Sequence, residues 1–129
     1  MVLPTDDVIA IQSLVARYNF AVDEGDPDGF AGCFTKDGEF SWAENEFHGR
    51  DELVAFAKTL GASGQMRHVV TSALTDGDRE RATMRSYCHV TSVGDDGKPF
   101  MTVQGVYEDE LAHTGEGWLF TRRRFTSDK

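Results

Sequence analysis

The stretch "MRHVVTSALTDGDRERATMRSYCHV", residues 66–90, decides the fold class of this chain. From residue 66 onward, apolar and polar side chains alternate with the period of two that is typical of β-strands. The segment "TDGD" interrupts the alternation with the Asp and Gly residues that favour a tight antiparallel turn. The stretch therefore predicts two antiparallel strands, at 66–75 and 79–93.

The alternating pattern continues to the end of the chain. The turns "GDDGK" and "HTGEG" precede two further strands, predicted at 98–112 and 117–126. Because each connection is short and contains Gly, with Asp in the first two, the four strands are expected to form an antiparallel meander.

The residues before this meander have helical periodicity. Apolar side chains recur at helical spacing over Val8–Val22, which predicts a first helix over about 6–24. Gly25 ends this helix, and a short second helix restarts with Asp26 as its N-cap and Pro27 at its first position.

A strand or short hairpin and a third helix complete the first half of the chain. The segment "EFSWAENEFHG" alternates, with Phe40 and Trp42 on one face. The third helix is predicted to begin near Arg50 and to end at Gly61. This order predicts an α+β domain, in which three N-terminal helices pack on the concave face of a curved antiparallel sheet.

Length and composition restrict the class of protein. The chain of 129 residues and 14.3 kDa fits a single domain, residues 1–129. A net charge of −9 argues against nucleic acid as a partner. No apolar run reaches the roughly 20 residues of a membrane span, and "MVLPTDD" lacks the pattern of a secretory signal, so we expect a cytoplasmic protein without a membrane partner.

Motifs for metals and cofactors are absent from the sequence. Cys33 and Cys88 lack zinc-site spacing and suit buried thiols without a disulfide. The four histidines have no ligand spacing, and no glycine-rich phosphate loop or nucleophile elbow occurs. We expect no metal and no cofactor.

Three residues are candidates for chemistry. Asp23 lies in the last turn of the first helix, where the macrodipole disfavours a carboxylate, so it is either a turn-capping residue or a group aimed into a pocket. His68, at the start of a strand, is either structural or a general base oriented by that carboxylate. Tyr18 either packs in the core or donates a hydrogen bond to a substrate. On an ideal helix Tyr18 and Asp23 point about 140° apart.

Other polar residues are expected at the surface. Glu24 is predicted to be a solvated acid at the surface. The run "TRRRF" at 121–125 reads as the solvated face of a strand, with Arg122 and Arg124 on one side and Arg123 on the other. His89 is expected to point outward, because Met84, Cys88 and Val90 form the inner face of its strand.

Four segments resemble a SnoaL-like domain of the nuclear transport factor 2-like superfamily. They are "IQSLVARYNFAVDEGDPDGFAGCFTKDGEF", "FHGRDELVAFAKTL", "MRHVVTSALTDGDRERATMRSYCHV" and "GVYEDELAHTGEGWLFTRRRF". The resemblance implies a cone-like α+β barrel with an internal pocket, commonly in a homodimer or homotrimer.

Within that superfamily the chain is nearest in pattern to scytalone dehydratase, hexachlorocyclohexane dehydrochlorinase and bile acid 7α-dehydratase. The resemblance implies that Asp23 and His68 form a general-base dyad and that Tyr18 assists it. These enzymes carry a further polar or ionisable group on the inner face of the next strand, where this chain has Met84, Ser86 and Cys88.

We therefore expect a cofactor-independent lyase, a dehydratase or similar, acting on a small hydrophobic and cyclic molecule. An isomerase or polyketide-cyclase-type enzyme with the same dyad, or a non-catalytic ligand-binding protein, remains an alternative. The expected pocket residues are Phe34, Trp42, Phe56, Met84, Cys88, Val90 and Val103.

Overall fold

A computed structural model describes residues 2–62 and 64–129; Met1 and Ser63 lie outside the described residues. Within these ranges the elements follow the predicted order, and their ends lie within about two residues of the predicted ones, except that β1 begins at Phe34 and not at Glu39. The helices are α1 Thr5–Asp23, α2 Pro27–Ala31 and α3 Gly49–Gly61. The strands are β1 Phe34–Trp42, β2 Asn45–His48, β3 Met66–Gly77, β4 Arg81–Val93, β5 Pro99–Thr114 and β6 Gly117–Ser127.

The strands form one sheet in the order β2-β1-β6-β5-β4-β3. The predicted meander is confirmed, because β3 to β6 pair antiparallel with their neighbours in sequence. The sheet is nevertheless mixed, not wholly antiparallel as expected, since β1 runs parallel to β6 with Trp42 opposite Phe125. This pairing joins the first strand to the last one, and local turn patterns report only on hairpins between consecutive strands.

The predicted α+β architecture is confirmed: three helices pack on a curved, unclosed sheet. The stripe of α1 that faces the sheet includes the buried residues Ile11, Leu14 and Tyr18, and α3 contributes Leu53. None of the described helices is long and apolar enough to cross a membrane.

The corner between α1 and α2 determines where Asp23 lies. Gly25 adopts φ +68°, a left-handed conformation that favours glycine, and the chain leaves the axis of α1 there. Asp26 caps α2 as predicted, because its Oδ1 accepts a hydrogen bond from the Gly29 N–H at 3.0 Å. The carboxylate of Asp23 is thereby held at the end of α1, next to the start of β3.

The arginine run of β6 splits between the two faces of the sheet. Arg122 is half-buried and pairs with Glu39 at 2.9 Å, and Arg124 is exposed, as expected. Arg123 points inward and its side chain is 0% exposed, so the prediction of a solvated run is wrong for this residue. The alternation was visible in the sequence, but the buried partners of Arg123 come from α1 and β5.

Candidate active site

Asp23 and His68 form a buried pair where α1 meets β3. The Asp23 Oδ1 lies 2.7 Å from the His68 Nδ1, and the Oδ2 accepts a hydrogen bond from the His68 backbone N–H at 2.9 Å. The side chains are only 6% and 10% exposed. Two short bonds to one residue compensate for the unfavourable helix-end position of the carboxylate, and they hold the imidazole in one orientation.

The arrangement leaves one nitrogen of His68 available for chemistry. With the proton on Nδ1 bonded to Asp23, the Nε2 carries a lone pair. The His68 side chain lines an internal cavity, and among the described residues its Nε2 has no hydrogen-bond partner. An imidazole held in this way can accept a proton from a bound molecule.

The cavity has a volume of about 320 Å³, near the lower end of the range for small-molecule sites. Its wall is mostly aromatic and aliphatic, and its polar groups are few. The lining residues are Tyr18, Phe40, Trp42, Phe56, Leu60, Met66, His68, Cys88, Val90, Ser92, Thr102, Val103, Tyr107 and Phe125. A small, largely apolar molecule fits this lining.

Five of the seven expected pocket residues lie at this cavity: Trp42, Phe56, Cys88, Val90 and Val103. The structure places the other two elsewhere. Phe34 packs in the core against Phe30 and Phe120, at ring distances of 5.3 and 5.5 Å. Met84 is buried further along β4, next to Ile11 and Val15 of α1. Alternation indicates the face of a strand but not the depth at which a cavity opens.

Sequence reasoning missed several lining residues, above all Tyr107 and Phe125. Tyr107 lies opposite Ser86 in the β4–β5 register and opposite Phe125 in the β5–β6 register. Both residues lie on the inner face that alternation defines, so extending the face assignment from β4 to the last two strands would have found them.

Tyr18 contacts the same cavity as His68 despite its angular offset from Asp23. Asp23 lies behind His68 and is not part of the cavity wall, so the imidazole spans the distance from the helix end to the cavity. Tyr18 is 2% exposed and packs edge-to-face against Tyr107 and Phe120, at ring distances of 6.1 and 5.9 Å. Burial raises the pKa of its phenol well above the usual range, so the hydroxyl is neutral.

The two cysteines are buried thiols. Burial raises the pKa of Cys33 to about 11 and also raises that of Cys88. Both are therefore protonated at neutral pH. Cys88 lines the cavity as a neutral thiol and not as a thiolate. Within residues 2–62 and 64–129, no group of three or more His, Cys, Asp or Glu side chains is placed to hold a metal ion.

Comparison with known proteins identifies the family. Residues 4–124 match the family model described as a SnoaL-like domain. The chain belongs to the SnoaL-like family. This result confirms the resemblance that the four sequence segments indicated. No curated protein shows significant sequence similarity to the chain.

Several solved structures are similar to this chain over most of its length. A variant of Rv3472 from Mycobacterium tuberculosis, a protein of unknown function, is 32% identical with a TM-score of 0.91, over 95% of this chain and 72% of the other. A Novosphingobium aromaticivorans protein provisionally described as an aromatic ring hydroxylase is 30% identical with a TM-score of 0.86, over 98% and 92%.

A protein from the same organism, provisionally described as a scytalone dehydratase, is 22% identical with a TM-score of 0.83, over 98% and 89%. At that identity the likeness shows the shared fold alone.

Proposed function

We propose that this SnoaL-like protein is a cofactor-independent lyase, a dehydratase or similar, that acts on a small hydrophobic cyclic molecule. The observation that carries the proposal is the Asp23–His68 pair, whose imidazole lines an aromatic cavity with its Nε2 unbonded. The likeness to the protein provisionally described as an aromatic ring hydroxylase supports a cyclic substrate for this chain.

In the proposed reaction, His68 Nε2 removes a proton from a carbon of the substrate. Asp23 keeps the imidazole in the correct tautomer and stabilises the imidazolium that forms. The electrons of the broken C–H bond form a C=C bond as the leaving group departs, and the proton on Nε2 is returned to the leaving group. The Tyr18 hydroxyl donates a hydrogen bond to the substrate oxygen on which negative charge develops.

The apolar cavity supplies part of the rate acceleration. General-base catalysis contributes roughly 10²- to 10⁴-fold. Positioning of the substrate against His68 and exclusion of water from the aromatic wall are expected to contribute the rest.

An isomerase or polyketide-cyclase-type activity is the second candidate, and one observation favours it. Among the residues that the structure describes, the cavity wall contains no carboxylate and no histidine besides His68. An isomerisation needs only one base, which removes a proton and returns it to another carbon, whereas in the elimination His68 must also deliver its proton to the leaving group in place of a second acid. A non-catalytic ligand-binding protein would retain the pocket but show no turnover.

Thermal-shift screening of cyclic hydroxyketones and related enones, followed by mass-resolved turnover of the hits, tests the proposal. Loss of water distinguishes a lyase from an isomerase, whose product has the mass of the substrate. His68→Ala and Asp23→Asn are expected to abolish turnover, whereas His89→Ala, on the outer face of β4, leaves it unchanged. Turnover within a few-fold of wild type in both site variants would contradict the mechanism.

We also propose that a second copy of the chain covers the cavity in a homodimer or homotrimer. Phe100 and Met101 are each 52% exposed. They lie on β5 next to Thr102, which lines the cavity, and opposite Ser92 and Thr91 of β4. Phe100 is paired with the cavity residue Ser92, so this exposed apolar side chain lies on the face of the sheet where the cavity opens and is suited to a protein contact. Light scattering of wild type and of a Phe100→Asp, Met101→Asp variant tests the assembly, and a monomeric wild type would contradict it.

A further inference from the structure

The side chains that line the cavity divide into a buried set and a rim. Apart from Trp42, the described Phe and Tyr side chains of the wall are 8% exposed or less. The rim consists of less buried lining residues at the ends of helices and strands: Trp42, Leu60, Met66, Ser92 and Thr102. The cavity therefore opens between the ends of β1, α3 and β4 and the beginnings of β3 and β5.

Among the described rim residues, Trp42 alone is aromatic, and it is 37% exposed. Three strands separate β1 from β3 in the sheet, so Trp42 and Met66 approach the opening from opposite sides of the curved sheet. The Leu60 and Met66 side chains are flexible and can change rotamer, whereas an indole is a rigid plate. The width of the opening is therefore determined mainly by the position of Trp42.

Two side-chain contacts hold Trp42 in place. Its Nε1–H donates a hydrogen bond to the Ser127 Oγ at 3.1 Å, which joins the end of the first strand to the end of the last one. Its ring packs against Phe125 at a ring distance of 6.4 Å, and the two residues are opposite each other in the parallel β1–β6 pairing. Ser127 is itself held, because it pairs with Gly105 of β5.

The ring beneath Trp42 has little freedom to move. Phe125 is buried and packs against the Tyr107 ring at a ring distance of 5.2 Å. Its ring also lies against the backbone of Gly105, where an added Cβ would come within 2.9 Å of the Phe125 Cζ. Because Phe125 is enclosed in this way, Trp42 can widen the opening only by rotating outward, which breaks the hydrogen bond to Ser127.

The hydrogen bond to Ser127 is exposed to solvent, and a neutral bond of this kind shifts an equilibrium by only a few-fold. The indole is therefore held in place but can be released. A flat ring system can pass such a plate edge-on, whereas a globular molecule of similar size requires the indole to move. The cost of that movement is the lost hydrogen bond and the lost contact with Phe125.

We propose that Trp42 is the specificity-determining residue at the opening of the cavity, and that it admits planar ring systems in preference to globular ones. This inference rests on the proposed function, because it narrows the substrate class of the same cavity. Ser127 does not line the described cavity wall, so it is a positioning residue that acts through the Trp42 indole.

Binding of two matched probes tests the proposal without turnover. The probes are 2-naphthol and 2-adamantanol, which have the same number of carbons and one hydroxyl each but are planar and globular, respectively. Isothermal titration calorimetry gives the ratio of their dissociation constants, and a general disturbance of the fold weakens both probes. Wild type is expected to bind 2-naphthol about 10-fold more tightly or better. Equal affinities in wild type would overturn the proposal.

Variants of Trp42 distinguish selection by shape from simple stacking. Trp42→Ala is expected to tighten the binding of 2-adamantanol by about 10-fold, because the opening no longer contains the indole. Phe20→Ala removes an exposed aromatic side chain of α1 outside the cavity wall, so this matched control leaves both affinities unchanged. If Trp42→Ala weakens 2-naphthol without tightening 2-adamantanol, the indole only stacks on bound rings and the proposal is wrong.

Trp42→Phe retains a smaller ring without the N–H donor. It is expected to tighten 2-adamantanol by about 3-fold, and it provides a reading even if Trp42→Ala does not fold. Wild-type affinity for 2-adamantanol in Trp42→Phe would contradict the role of the indole.

The hydrogen bond is tested from its other end by Ser127→Ala. This variant is expected to tighten 2-adamantanol by about 3-fold and to leave 2-naphthol unchanged, whereas Thr126→Ala, at an exposed hydroxyl of the preceding residue, has no effect. In a Trp42→Phe background, Ser127→Ala should add nothing, because the donor is already absent. An unchanged 2-adamantanol affinity, or the same effect in both backgrounds, would show that Ser127 does not act through Trp42.

The outcomes separate this inference from the proposed function. If His68→Ala abolishes turnover while Trp42→Ala keeps the wild-type ratio, the lyase proposal stands and selection by Trp42 is wrong. If the Trp42 and Ser127 variants change the ratio as expected while His68→Ala retains turnover, selection at the opening stands and the base assignment is wrong.

Discussion

Two buried carboxylates, Asp23 and Asp109, each face a basic side chain, but they do so in different ways. Both oxygens of Asp23 accept short bonds from His68, whose imidazole opens onto the cavity. Asp109 is paired with Arg123 inside the protein, and neither of its oxygens has a hydrogen bond of good geometry among the described residues. Asp23 therefore orients an imidazole that can take part in chemistry, whereas Asp109 pairs with a guanidinium that lies beneath aromatic rings.

The largest expected effect is a loss of turnover when the Asp23–His68 pair is changed. His68→Ala is expected to reduce turnover by about 10²- to 10⁴-fold, and Asp23→Asn by a similar factor, because the amide favours the wrong imidazole tautomer. Steady-state kinetics on an identified substrate measures both. Asp109→Asn leaves His68 and Asp23 unchanged. If it reduces turnover as much as Asp23→Asn does, the two pairs do not differ in their importance for catalysis.

For the free energy of unfolding we expect the opposite order, with the Asp109–Arg123 pair having the larger effect. Arg123→Ala leaves Asp109 buried without a cation and removes three aromatic contacts, so we expect a loss of about 3 to 5 kcal/mol in the free energy of unfolding. The double variant Arg123→Met, Asp109→Asn should lose much less. Urea denaturation measures both, and equal losses would show that packing and not charge pairing dominates this site.

The pH dependence of stability sharpens the description of Asp109. Burial raises the pKa of this carboxyl from 3.8 to about 7, although the Arg123 charge acts to lower it. Between these values the folded protein retains a proton that the unfolded chain has lost, so the stabilisation from this group decreases as pH rises from 3.8 to about 7.

Urea denaturation across that pH window, for wild type and Asp109→Asn, measures this contribution. The variant cannot titrate at this position, so its stability should fall less steeply with rising pH. Parallel pH profiles for the two proteins would mean that Asp109 has the same pKa in the folded and unfolded states.

The smallest expected effect serves as a control for both pairs. Asp26→Ala removes the N-cap of α2 at the corner that follows Asp23, and we expect a loss of about 1 kcal/mol in the free energy of unfolding. Turnover should remain near wild type if the two short bonds to His68 hold Asp23 in place. A large loss of turnover would show that the corner itself positions the carboxylate.

The sequence alone predicted much of the fold and the main features of the site. The change of period at residue 66 and the three Gly-containing turns predicted the meander of β3 to β6, because hairpins depend on local geometry. Asp23 stood out because helix physics disfavours a carboxylate at that position. His68 was a candidate partner because it begins a strand, and the family resemblance strengthened that interpretation.

Only the tertiary structure decided what lies around these residues. The parallel pairing of β1 with β6, the depth of the cavity and the burial of Arg123 all depend on contacts between residues far apart in the chain. Alternation along a strand records which face a side chain occupies, and Arg123, Tyr107 and Tyr18 share one cluster only because β5, β6 and α1 pack together. Local periodicity carries no information about such packing, which follows from the burial of apolar surface over the whole domain.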